Sequence, residues 1–178
     1  MLAELLCVAI GMVSTDYGGK LLSSRASLAC KMMPHVISES NKNKIRPTLV
    51  LAMIHVESGW DKKAISPSGA CGLTQVVPKW TGSAGTRVPK LTCNQLHNPH
   101  TSITMGTRLL SFWIKNYGLG NEQVGLCGYN KGYRCKGKRP HKRGMKYARL
   151  VLAVERLILK QLELVQHERN TPKKSIQY

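Results

Sequence analysis

Residues 47–59 read PTLVLAMIHVESG, and this stretch decides the fold. Pro47 stands where a first helical turn tolerates a missing N–H, and Gly59 stands where a helix stops. Between them the residues are apolar on nearly every side, the pattern of a helix buried all round at the centre of a domain. Glu57 breaks that pattern: it is a carboxylate in the last turn of an apolar helix. Burial and the negative potential of the helix C-terminus both disfavour its charged form, so its pKa is expected to rise towards the range of a general acid. From position alone, a solvated Glu at a helix end is the better explanation of the same residue, and only the surrounding motifs reverse that preference.

Other helices are written in both directions from this one. Asn98 and Pro99 form a cap and first turn, and Ile103, Thr107, Leu110, Trp113 and Ile114 make one face through Tyr117. Asn121 starts a further short helix. From Met145 to His167, Leu150, Val151, Val154, Leu157, Ile158, Leu162 and Val165 keep helical spacing over several turns, which predicts the longest helix. AISPSGACGLTQ, residues 64–75, carries a Ser-Pro step and two glycines and predicts a loop of fixed shape. The expectation is an all-α domain.

With 178 residues and 42% hydrophobic content, the chain can bury a proper core, which excludes a disordered protein. The net charge of +18, from 27 Lys and Arg against 9 Asp and Glu, implies an anionic partner. Nucleic acid, anionic lipid and the acidic polymers of a bacterial envelope all satisfy that requirement. Six cysteines lack CxxC spacing and companion histidines in zinc register, so a metal site is not expected. Reduced, mostly buried thiols are expected, with Cys127 and Cys135 the nearest pair should a disulfide form. Leu5 to Val13 is apolar but has no basic residue before it, and a buried N-terminal helix fits it better than a removed signal.

IHVESGW followed by AISPSGACGLTQ resembles the Glu-Ser and Ser-Pro-x-Gly-Ala-x-Gly-Leu-x-Gln blocks of the soluble lytic transglycosylases of family 1. LHNPHTSITMG, LCGYNKG and MKYARLVL resemble three further blocks of that family, in order, so that the resemblance spans roughly residues 44 to 155. Single blocks of this kind arise by chance; five in register do not. The departures are Thr74 in place of Met, Gly128 and Lys131 in place of Ala, and Ser102 in place of Asn.

The resemblance implies a lysozyme-like fold whose central helix bears the catalytic Glu57. Glu57 would protonate the glycosidic oxygen between N-acetylmuramic acid and N-acetylglucosamine, then take the proton from the sugar's own 6-hydroxyl, giving a 1,6-anhydro product. One carboxylate used twice suits a chain with no acid between Asp61 and Glu122. Asp61, beyond Gly59, is expected to cap a loop. Gln75 and Asn130 carry amides that can grip N-acetyl groups and hydroxyls, although both residues also suit turns. Tyr129 and Tyr147 can stack on sugars or hydrogen-bond Glu57, the resemblance favouring Tyr147 for the second role. Ser58 and Ser66 can assist the attacking or departing oxygen. Trp60, Trp80 and Trp113 can line a sugar cleft, with Trp113 better placed in the core, and His55 reads as a satisfied core histidine. No metal or cofactor is needed.

Three divisions are expected: residues 1–30 as an N-terminal helical arm, 31–165 as the lysozyme-like domain, and 166–178 as a polar tail. Residues 131–149 hold nine Lys or Arg and no acid, suited to anionic envelope polymers, with nucleic acid the weaker partner. The expected partners are peptidoglycan strands and, in a bacteriophage setting, other virion or secretion-machine proteins. Synthesis in the cytoplasm without a cleaved signal, then action at the cell wall, is the expected localisation, with the virion as carrier. Two other readings stay open: a goose-type lysozyme that activates water, and a non-catalytic basic virion or nucleic-acid-binding protein on the same fold.

Overall fold

The computed structural model describes residues 2–16, 23–86, 88–137 and 139–170, and its architecture is all-α. Helices α1 (Leu2–Asp16), α2 (Ser23–Asn43), α3 (Pro47–Ser58), α4 (Cys93–Leu96), α5 (Pro99–Phe112), α6 (Glu122–Lys131) and α7 (Lys142–Asn170) follow in order. Among the described residues, extended pairing is limited to the isolated bridges Ile65–Cys71 and Cys71–Val76. No described helix is long and apolar enough to cross a membrane.

Helix α3 lies at the centre, buried at every residue from Thr48 to Ile54. A helix of 12 residues is marginal on its own in water, so burial of Leu49, Leu51, Met53 and Ile54, each worth about 1.5–3 kcal/mol, is what holds it. It ends at Gly59, in the left-handed region at φ 54, whose N–H bonds the His55 carbonyl. The expected caps are present elsewhere: Asn98 Oδ1 accepts from Thr101 N–H with Pro99 next in line, and Asn121 Oδ1 accepts from Val124 N–H.

Helix α7 is the spine, packing against α1, α3 and α6. Its buried face is Ala148, Val151, Val154, Ile158 and Leu162. Helix α1 contributes Leu5, Leu6, Ala9, Ile10 and Val13 to the same core as α3. Helix α2 runs unbroken through residue 30, so the boundary expected there between arm and domain falls inside one helix. Helix α7 extends five residues into the tail expected from 166, and residues 171–178 lie outside the described residues.

An ion network sits at the start of α3. Arg46, just before it, bonds both oxygens of Glu122 on α6 at 2.7 and 2.9 Å and both oxygens of buried Glu155 on α7 at 2.9 and 3.0 Å. Thr48 Oγ1 donates to Glu155 as well, at 2.8 Å. Both oxygens of Glu155 therefore have partners, the condition under which a buried carboxylate is tolerated.

The expectation of reduced thiols is overturned. All six cysteines are paired, Cys7–Cys30, Cys71–Cys93 and Cys127–Cys135, with Cα separations of 4.7, 5.5 and 5.8 Å, inside the span of roughly 4.4–6.8 Å that a disulfide bridges. Two of the pairs join residues 23 and 22 positions apart on different elements, which no local spacing announces. Cys7–Cys30 ties α1 to α2, Cys71–Cys93 ties the loop after α3 to α4, and Cys127–Cys135 ties α6 to the turn that follows it.

Candidate active site

Glu57 projects from the last turn of α3, partly buried. The hydroxyl of Tyr147, from the first turns of α7, donates to Glu57 Oε1 at 2.6 Å. Burial is the largest influence on this carboxyl and pushes its pKa up to about 7. The Tyr147 hydrogen bond and the nearby Lys131 ammonium both pull the other way, but less strongly. Tyr147 and Tyr129 are themselves pushed well above the usual tyrosine range, first by burial and then by the Glu57 charge, so both stay neutral donors. A carboxyl poised near neutrality can give a proton and take one back.

The second wall is the loop after α3. Gly72 sits at φ +76 where any Cβ would overlap the Leu96 carbonyl, and Gln75 is itself in the left-handed region at φ 48. Gln75 Nε2 donates to the carbonyls of Ala64 and Gly72 at 3.1 and 3.0 Å, bracing the loop from inside. Thr74, packed against Gly106 of α5, bonds Ser102 through its hydroxyl and leaves its carbonyl to accept from Tyr129 at 2.7 Å. That bond joins loop to α6. The departures Thr74 and Ser102 thus meet one another: Thr74 Oγ1 donates to the Ser102 carbonyl, and Ser102 Oγ accepts from Thr74 N–H.

A groove of about 590 Å³ opens beside this arrangement, bordered by Gln75, Trp80, Trp113, Tyr129, Asn130 and Tyr133. Its size is that of a small-molecule cleft. Glu57 does not itself line it; Tyr129 and Lys131 line the groove and couple electrostatically to Glu57. The structure therefore brings Gln75, Tyr129 and Asn130 together on one groove and, separately, joins Tyr147 to Glu57.

Other expected residues are placed differently. Ser58 Oγ donates to the Leu73 carbonyl at 2.8 Å and contacts Ile54 O, so its proton serves the helix end and the loop. Ser66 Oγ accepts from Ala70 N–H and bonds Ser68 Oγ, shaping its own turn. Trp60 does not line a cleft: it is fully buried at φ 64, and Nε1 has no partner among the described residues. His55 is half-buried and not satisfied, since among the described residues its buried Nδ1 has no partner, and burial pushes its pKa down. Trp113 both packs on the core and borders the groove. Asp61 accepts from Lys63 N–H and pairs with Arg25 at 2.6 Å, closing the loop after α3 onto α2. Sequence reasoning passed over Tyr133 and Arg134 as groove residues and Lys131 as a neighbour of Glu57. The signal available was Lys131, a cation where the resembling family has Ala.

Cys71, Cys93 and His97 are grouped as the ligands of a metal ion would be, their ligand atoms within 4.8 Å of one another. The two sulfurs are bonded to each other and offer no thiolate pair.

Residues 34–151 match the family model described as the transglycosylase SLT domain. The chain is 33% identical over 89 residues to the membrane-bound lytic murein transglycosylase E of Buchnera aphidicola, covering 46% of this chain and 39% of that protein. It is 28% identical over 129 residues to the soluble lytic murein transglycosylase of Escherichia coli K12, covering 62% of this chain and 19% of that protein. The chain thus corresponds to well under half the length of either relative. Among solved structures, the 70 kDa soluble lytic transglycosylase of Escherichia coli superposes with a TM-score of 0.63 at 21% identity, over 86% of this chain and 29% of that one. An inactive mutant of lytic transglycosylase Slt from Pseudomonas aeruginosa gives 0.61 at 21% identity, over 73% and 24%. At such identities these superpositions establish the shared lysozyme-like, all-α fold.

Proposed function

This chain belongs to the transglycosylase SLT domain family, and we propose on that footing that it is a peptidoglycan lytic transglycosylase. It cleaves the β-1,4 bond between N-acetylmuramic acid and N-acetylglucosamine and leaves 1,6-anhydro-muramyl ends. The observation that carries this reading is the Glu57 carboxyl, held near neutral pKa by burial, hydrogen-bonded by Tyr147 and coupled electrostatically to Tyr129 and Lys131 of the neighbouring groove. Protonated Glu57 gives its proton to the departing glycosidic oxygen; as carboxylate it removes the proton of the 6-hydroxyl, whose oxygen closes on the anomeric carbon. Gln75, Tyr129 and Asn130 bind and orient the sugars, while Ser58 and Ser66 hold the walls in shape.

A second carboxylate across the bond, as most hydrolases use, finds no candidate nearby among the described residues: Asp61 is engaged by Arg25 and Lys63. That favours the transglycosylase over the goose-type lysozyme. The cell wall is the proposed place of action, and bacteriophage wall penetration the proposed setting, with a secretion or conjugation machine as the alternative. Three disulfides suit an oxidising envelope, closing after the chain leaves the cytoplasm. Arg139, Lys142 and Arg149 gather at a shallow depression near the start of α7, a fit for anionic wall polymers.

Digestion of purified peptidoglycan by the wild type and by Glu57→Gln, with the muropeptide ends read by mass spectrometry, tests the proposal. Anhydro-muramyl ends made only by the wild type support it. Reducing ends indicate a lysozyme, and no cleavage by folded wild type, with salt-sensitive DNA binding, indicates the binding-protein reading.

A further inference from the structure

Away from Glu57 and the groove, one cluster of side chains carries chemistry that glycan cleavage does not use. Cys71 on the loop after α3, with Cys93 and His97 at the two ends of α4, places two sulfurs and an imidazole nitrogen within 4.8 Å of one another. Among the described residues no other three His, Cys, Asp or Glu side chains converge in this way. Cys93 and His97 stand one helical turn apart, the spacing that puts two side chains on one face, and Cys93 Sγ lies 3.5 Å from His97 Nε2. The turn is held from its start: Thr92 Oγ1 accepts from Gln95 N–H at 3.3 Å, and Gln95 Oε1 accepts from Thr92 N–H at 2.8 Å.

The two sulfurs differ in access. Cys71 is 2% exposed and packs with Val76, Val88, Leu91 and Leu96, whereas Cys93 and His97 are half-buried. A dithiol reductant therefore attacks the sulfur of Cys93, forming a mixed disulfide there while Cys71 leaves as thiolate. The second thiol of the reductant then displaces Cys93, so that two electrons and two protons pass to the chain and the reductant ends as a disulfide. The freed sulfurs and the imidazole are a Cys2His donor set, suited to zinc with one position open. Zinc holds thiolate sulfur at about 2.3 Å and imidazole nitrogen at about 2.0–2.1 Å, so donor atoms this close reach one ion through small side-chain rotations. Binding sends the two thiol protons to solvent.

We propose that, once its Cys71–Cys93 bond is reduced, the chain binds one zinc ion through Cys71, Cys93 and His97, with water in the fourth position. The ion then holds the loop in place of the disulfide. Cys71 N–H donates to the Val76 carbonyl at 2.9 Å, directly after Gln75 on the groove wall, so whatever clasps Cys71 to α4 also sets that wall. Zinc and disulfide are alternative clasps of one loop, the ion where thiols stay reduced and the sulfur–sulfur bond where they are oxidised. The site uses no cleavage chemistry and stands whether or not Glu57 acts on glycan.

The test titrates the full chain, reduced by a phosphine that adds no competing thiol, with cobalt(II) as the spectroscopic stand-in for zinc under argon. Reduced wild type is expected to bind one cobalt per chain, with the charge-transfer and ligand-field bands of a tetrahedral thiolate site, and equimolar zinc to abolish them. The oxidised chain is expected to show no such bands. Cys71→Ser with Cys93→Ser changes only the two sulfur atoms of the reduced chain, and should remove the bands although the other two pairs of thiols remain. His97→Ala should weaken binding by at least about tenfold, since losing even a partner behind the ligands costs roughly 10–100-fold; His97→Cys, another soft ligand, should restore it. Circular dichroism follows the fold: where reduction loosens the chain, zinc should restore it in the wild type and not in the double serine variant. A reduced wild type that the metal neither binds nor restores overturns the site, as do bands that persist in the double serine variant or are indifferent to His97→Ala.

Discussion

Tyr147 donates its hydroxyl proton to Glu57 Oε1 at 2.6 Å, joining two residues 90 positions apart in the chain. The bond stabilises the carboxylate form, against a burial that favours the acid. Tyr147→Phe deletes the first influence and keeps the second. The pKa of Glu57 should then rise above about 7, and the alkaline limb of the pH–rate profile should move upward with it. Turnover should fall about tenfold through loss of a hydrogen bond to a charged group. An unmoved limb, measured on soluble glycan strands, would mean that Tyr147 is only a packing residue.

The raised pKa of Glu57 also has a stability consequence. A carboxyl near 4.5 when unfolded and about 7 when folded binds more protons in the native state across that window. Its stabilising contribution is full below the lower value and is lost as pH rises through the higher one. Glu57→Gln removes the buried charge, so the variant should gain on the order of 2–3 kcal/mol over wild type at pH 8 and little at pH 4. Urea unfolding at the two pH values measures the difference.

Arg46→Met should destabilise the fold by about 2–4 kcal/mol, because buried Glu155 would keep only the Thr48 hydroxyl as a partner. Adding Glu155→Gln should recover part of the loss, since an amide needs no counter-ion. A double-mutant cycle on denaturant midpoints checks the coupling; strict additivity would refute it.

Gly72→Ala should cost more than an ordinary surface change, about 2–3 kcal/mol, since it combines positive φ with overlap on the Leu96 carbonyl. Gly120→Ala, also at positive φ but with nothing within 4 Å of its Cβ, should cost only the backbone part, about 1 kcal/mol. Thermal unfolding of the two variants separates steric overlap from backbone strain.

Cys71→Ser with Cys93→Ser should lower stability by about 3 kcal/mol through the loop the disulfide closes. Because that bridge anchors the loop carrying Gln75, glycan affinity should fall more than it does in the Cys7→Ser, Cys30→Ser pair, whose bridge lies between α1 and α2. Equal affinities in the two double variants would show that the loop holds its shape without the bond.

What the sequence determined by itself was local. The central helix from Pro47 with its stop at Gly59, the caps at Asn98 and Asn121 and the long periodic helix α7 are each encoded within a few residues, because capping and amphipathic period act over single turns. The order of the five blocks was legible for the same reason, and it pointed to the family to which residues 34–151 belong. Tertiary structure alone decided what depends on elements meeting: the pairing of Cys7 with Cys30 and Cys71 with Cys93, the burial of Trp60, and the ion network joining Arg46 to Glu155 across 109 positions. It also brought Lys131, Tyr133 and Arg134 to the wall of the groove. Contacts between residues distant in sequence come from how helix faces pack, and packing is a property of the assembled core that no short window of residues contains.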